Sequence, residues 1–165
     1  MSKRKQAKKL VNDLQRLTGW KEHKGDDRTV FLEDVRPRLT FELSFHTKKA
    51  SPEKLVKALK GLSRKLQEDR ITIEKASRKQ KRLSLSDASQ KLGESHHFTS
   101  GGSEDAYGFY HAVFAGEYVD LVIRTSDREG RNALRSVRIL RDAMFEAEQD
   151  VLLIWRLAKH LLRSR

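Results

Sequence analysis

Five arginines, Arg128, Arg131, Arg135, Arg138 and Arg141, recur every three or four residues in the last quarter of the chain. On a helix this spacing places them on one stripe. Guanidinium groups at the start of a helix meet the positive end of its dipole, so folding gains little from putting them there. Their rigid forks of donors fit phosphate oxygens two at a time, which points to binding of a polyanion. A second basic run, Lys75, Arg78, Lys79, Lys81 and Arg82, carries the same chemistry. So does a lysine face over Lys54, Lys57, Lys60, Arg64 and Lys65, opposite a leucine stripe. Taken alone, that face is what any amphipathic helix shows to water.

Groups suited to bond-breaking are sparser. His96 and His97 are adjacent, but neighbouring side chains of an extended segment point opposite ways and do not converge on one phosphate. His96, His111 and Asp120 lack close ligand spacing for a metal. His46 ends a strand pattern beside Lys48 and Lys49, where an imidazole reads as a surface group or a phosphate contact. Asp120 and Arg124 read as a surface pair on one strand. A Gly-Lys-Ser/Thr phosphate loop, a dinucleotide fingerprint and a nucleophile elbow are all missing from the sequence. The expectation is a protein that is not an enzyme, with no catalytic residue, metal or cofactor.

A net charge of +12 and a pI near 10.1 over 165 residues agree with a phosphate-binding chain. The charge is segregated. Residues 1–24 hold eight Lys/Arg against two Asp/Glu, residues 51–82 eleven against four, and residues 83–127 two against seven. The 37% of apolar residues is enough for a core. Cysteine is absent, which fits a reducing compartment and excludes disulfides. No apolar run reaches the roughly 18 residues of a membrane span, and Met1 to Lys9 lacks a signal peptide's apolar stretch. A cytoplasmic or nucleoid-associated protein with no membrane contact is expected.

The elements that must position these groups follow from periodicity. Ala7, Leu10, Val11, Leu14 and Leu17 line one face of a helix that Gly19 ends. Strands are expected at Trp20 to His23, at Thr29 to Glu33, and at Leu39 to His46, where apolar and polar residues alternate strictly. Ser51-Pro52-Glu53 starts a second helix carrying Leu55, Leu59, Leu62 and Leu66. A short helix is expected from Ser86 to Leu92 and a mobile loop from Gly93 to Ala106. Tyr107 to Phe114 and Tyr118 to Thr125 form a hairpin, with Tyr107, Phe109 and Tyr110 read as packing residues before base-stacking ones. A long helix from about Arg131 then closes the chain, its end apolar on more than one face.

The stretch from Ala7 to Leu62 resembles the HicA family of small mRNA-cleaving toxins, whose fold is like that of double-stranded-RNA-binding domains. The resemblance lies in the opening helix closed by Gly19-Trp20, the turn glycine Gly25, Phe31, the strand closing at Phe45-His46, and the helix of Leu55, Leu59 and Leu62. It implies an RNA-binding scaffold of helix, three strands and helix over residues 7–66. Family members place a catalytic histidine just after the turn glycine, where this chain has Asp26, Asp27 and Arg28, so no catalytic residue carries over.

The expected architecture is α+β: a small three-stranded antiparallel sheet with two helices in residues 1–66, a basic helical segment and polar loop in residues 67–106, and a hairpin with a long helix in residues 107–165. The expected function is non-enzymatic binding of structured RNA or duplex DNA through phosphate contacts. Two other readings are an accessory or inhibitor protein docking on an acidic protein surface, and a HicA-like ribonuclease. The apolar carboxy-terminal helix also fits a protein partner or a homodimer contact.

Overall fold

A computed structural model of the chain describes residues 2–24, 28–36, 39–80, 87, 92, 96–101, 109–115, 118–125 and 137–164. Their order is α1 (Lys3–Thr18), β1 (Lys21–Lys24), β2 (Arg28–Arg36), β3 (Leu39–His46), α2 (Pro52–Lys79), β4 (His96–Gly101), β5 (Phe109–Ala115), β6 (Val119–Thr125) and α3 (Val137–Arg163). The α+β class expected from the sequence is what forms.

Local chemistry sets the ends of the first two helices. Ser2 caps α1 by accepting from the Lys5 N–H at 3.2 Å, and Ser51 caps α2 by accepting from the Lys54 N–H at 3.3 Å. Pro52 occupies the first position of α2, where it sacrifices no intrahelical bond. Gly19 ends α1 at φ 70°, a left-handed conformation that suits glycine, and its N–H donates to the Gln15 carbonyl at 2.9 Å. The Gln15 side chain then donates to the Trp20 carbonyl at 2.9 Å, which fixes the exit into β1.

All strand pairs are antiparallel, in one six-stranded sheet of order β1-β2-β3-β6-β5-β4. The expected separation into a three-stranded sheet and a later hairpin is therefore replaced by continuity. β6 pairs along β3, with Phe41 opposite Ile123, Leu43 opposite Leu121 and Phe45 opposite Val119. These six side chains are buried and form the floor of the core. Their facing registry buries apolar area on both strands at once, which no local pattern in either segment specifies. Phe31 of β2 joins them, its ring 4.9 Å from that of Phe45.

The helices supply the other half of the core: Ala7, Leu10, Val11 and Leu14 from α1; Leu55, Leu59, Leu62, Leu66 and Ile73 from α2; and Leu140, Ala143, Met144, Ala147, Val151, Ile154 and Ala158 from α3. Each set follows the spacing of one helical face, with Arg70 standing at the core-facing position between Leu66 and Ile73. Arg70 of α2 meets Phe145 and Glu148 of α3, whereas Lys60, nearer the start of α2, lies over Trp155, nearer the end of α3. The two long helices thus run antiparallel.

Two sequence boundaries move. α2 continues through residue 66 to Lys79, so the expected division at 66/67 falls inside a helix of 28 residues, about 42 Å long. His96 to Gly101, expected in a mobile loop, form β4 paired to β5, with His96 opposite Phe114 and Gly101 opposite Phe109. The backbone hydrogen bonds of an antiparallel ladder do not depend on apolar side chains, and β5 provides the template. Most of the short helix expected between Ser86 and Leu92 lies outside the described residues.

Candidate nucleic-acid interface

The amino-terminal ends of α1 and α2 come together around a concavity of about 220 Å³ lined by Lys3, Arg4, Lys48, Lys49, Ala50, Ser51 and Lys54. Lys48 and Lys49 occupy a tight turn between β3 and α2, closed by the Ala50 N–H donating to the Thr47 carbonyl at 3.4 Å. All five cations are exposed. Each helix directs its dipole's positive end towards this place, and α1 has no acidic residue in its first turn. Glu53, in the first turn of α2, is the acidic group there. Two helix ends and five cations around one hollow make an electropositive surface suited to phosphate.

Lys54 also belongs to a second groove, of about 400 Å³, that runs along α2 and is bounded by Lys54, Lys57, Ala58, Gly61, Leu62, Lys65 and Tyr118. Two of these residues defy local preference. Tyr118 has φ 68°, the left-handed region that a bulky residue enters at a cost of about 1–3 kcal/mol. Its carbonyl accepts from the His46 N–H at 2.9 Å, and the Lys54 ammonium lies 5.6 Å from its ring centroid. Gly61 sits mid-helix and exposed, and a Cβ built there meets nothing within 4 Å. Neither crowding nor backbone shape requires a glycine. Gly61→Ala should accordingly raise stability by about 1 kcal/mol, read as a higher urea midpoint at unchanged slope. A destabilised variant would show that the glycine serves the helix itself.

Of the residues expected to bind nucleic acid, Lys54 and Lys57 are brought into these two hollows. Lys75, Arg78 and Lys79 are exposed on the last turns of α2, where Lys75 and Lys79 edge a shallow hollow of about 230 Å³. Because α2 and α3 are antiparallel, that end of α2 lies beside the start of α3. Arg138 is exposed there and Arg141 half-buried. Arg128, Arg131, Arg135, Lys81 and Arg82 lie outside the described residues. Lys54 and Lys75 are 21 positions apart on one helix, roughly 30 Å. Lys3, Arg4, Gly61 and Tyr118 were not legible as site residues. Lys48 and Lys49 carried a usable signal, a basic pair just ahead of a Ser-Pro-Glu helix start.

The sheet face away from the helices carries Thr40, Glu42, Ser44, His46, Asp120 and Arg124. Asp120 and Arg124 do not pair along β6 as the sequence implied: four residues separate them by about 13 Å, whereas the β3 residues diagonal to their register partners lie about 7–8 Å away. Asp120 instead meets His46 at 2.8 Å, and Arg124 meets Glu42 at 2.9 Å. Part-exposed pairs of this kind contribute little to stability. The side chains of His96, His97 and His111 lie outside the described residues, and no group of three metal-ligating side chains occurs among the described ones. No described helix is long and apolar enough to cross a membrane.

Comparison with protein-family models, with characterised proteins and with solved structures returns no match.

Proposed function

We propose that the protein binds the phosphate backbone of structured RNA or duplex DNA, without cleaving it, in a cytoplasmic or nucleoid setting. The observation that carries this reading is the hollow in which Lys3, Arg4, Lys48, Lys49 and Lys54 surround two helix amino termini. Helix N–H groups and lysines bind phosphate oxygens whatever the adjoining base, so the contacts position a nucleic acid before they discriminate its sequence. Lys75, Arg78, Lys79 and Arg138 extend the basic surface towards the other end of α2. Contacts roughly 30 Å apart span about one turn of a duplex, which favours double-helical over single-stranded backbone. The order of α1, three strands and α2 is in keeping with a double-stranded-RNA-binding-like scaffold.

Titration of duplex RNA, duplex DNA and single strands tests this. Affinity for a duplex should fall at least a hundredfold between about 50 mM and about 200 mM salt, as released counterions demand. Binding that is indifferent to salt would defeat the proposal. It would favour docking on a protein partner through α3, where Phe145 and Leu153, 48% and 54% exposed, lie eight residues apart on one face.

A further inference from the structure

We infer that the groove between α2 and Tyr118 is a pocket for a single unpaired nucleotide, its base on the tyrosine ring and its phosphates on Lys54, Lys57 and Lys65. This rests on the nucleic-acid reading above and names what the second groove adds to it.

The lining selects the ligand class. Three lysines alone would suit any polyanion, and Ala58, Leu62 and a tyrosine alone would suit any flat apolar molecule. A nucleotide has both halves: a π-face for the ring and phosphates for the ammonium groups. The volume of about 400 Å³ matches one small ligand and not a double helix. The described lining includes no carboxylate to repel a phosphate.

Two backbone features then gain a reason. Gly61 has no neighbour within 4 Å that a side chain would strike, so the space its missing side chain leaves is the groove itself. Tyr118 holds φ 68° while the His46 N–H anchors its carbonyl, which keeps an aromatic ring at the groove wall where a relaxed backbone would turn it elsewhere. Departures from local preference on both walls of one groove are what a binding site leaves in a fold. The Lys54 ammonium over the ring marks a face open to a stacked group. An entering base takes that face as Lys54 turns to the adjoining phosphate. Lys54 also edges the phosphate hollow, so the backbone leading to the flipped nucleotide runs directly from one site into the other. The protein therefore prefers bulges or frayed ends to uninterrupted duplex.

The test uses duplexes of RNA and of DNA, each fully paired or carrying one extrahelical 2-aminopurine, with the full-length protein and two variants. Wild type should bind the bulged probe about tenfold more tightly than the paired one and change the aminopurine fluorescence on binding. Gly61→Phe, which fills the groove without a clash at Cβ, should lose both effects and keep its affinity for paired duplex. Tyr118→Asn tolerates the left-handed backbone and should also lose the tenfold preference. Equal affinity for both probes overturns the nucleotide pocket and leaves phosphate binding standing, as does a preference that survives Gly61→Phe. Failure to bind either probe overturns both.

Discussion

Replacing Lys48, Lys49 and Lys54 together by Ala should weaken binding to duplex by about a thousandfold at physiological salt and flatten the salt dependence. Each lysine that meets a phosphate contributes a charge-assisted hydrogen bond of about 1.5–3 kcal/mol and releases close to one counterion. Three such losses reduce the logarithmic salt slope by about 3. The fold should hardly notice. Lys48, Lys49 and Lys54 are exposed, and Ser51 rather than any lysine caps α2. The thermal midpoint should therefore move by no more than a few degrees. Charge reversal of Arg131, Arg135 and Arg138 is the companion experiment, because it asks whether the arginine stripe shares the load. If the arginine variant loses the greater part of the affinity and the lysine variant little, the interface centres on these arginines and not on the paired helix ends. Were neither to matter, phosphate binding as a whole would be refuted. Sequence preference should be the same before and after either change, since phosphate contacts carry no base information.

How much of this could be seen in the chain depends on how local each cause is. β3 was legible because Phe41, Leu43 and Phe45 are buried at every second position, and a period of two needs no partner to be recognised. The start of α2 was legible because its cap and its first-turn proline are neighbours in sequence. Its true length was not. After Leu66 the stripe meets Arg70, a charge at a core-facing position, and the apolar pattern breaks there although Ile73 resumes it. Only the fold reveals Glu148, 78 residues away, which makes that charge acceptable. β4 was missed for a related reason: His96, His97, Thr99, Ser100 and Gly101 carry no alternation of their own, and their pairing is dictated by β5. The candidate site divides along the same line. The lysines of α2 could be listed from the sequence, but the ring that faces them arrives from Tyr118, and Lys3 and Arg4 arrive from the opposite end of the unit. Long-range placement turned a solvated helix face into a groove.

Among the described residues, the Arg70–Glu148 pair should prove the most sensitive polar contact for stability. Arg70 Nε donates to Glu148 Oε2 at 2.9 Å and Nη1 to Glu74 Oε1 at 3.0 Å, while the guanidinium lies 5.1 Å from the centre of the Phe145 ring. The Glu148 side chain is only 9% exposed. Hydrogen bonding to Glu148 holds the Arg70 pKa above the ordinary arginine range despite burial, with Glu74 adding to it. A raised pKa on a cation means stability that is fully present below the unfolded value and is lost only as pH rises through the still higher folded one. The arginine's share therefore does not titrate away at any ordinary pH. Arg70→Ala leaves a carboxylate buried between α2 and α3 without its donor and should cost about 3–5 kcal/mol, by urea unfolding at about pH 7 and equally at about pH 9. Arg70→Lys should recover little of it, because one ammonium cannot reproduce a fork that serves two carboxylates and stacks on a ring. The paired change Arg70→Met with Glu148→Leu removes both charges and replaces them with similar volume, so it should return to within about 1–2 kcal/mol of wild type. That recovery separates two causes that either single variant confounds. If the double variant is as unstable as Arg70→Ala, the helices depend on the ion pair itself; if it recovers, what the single variant suffers is the buried charge left behind, and the pair serves to fix the register of two long antiparallel helices otherwise joined by non-directional apolar packing.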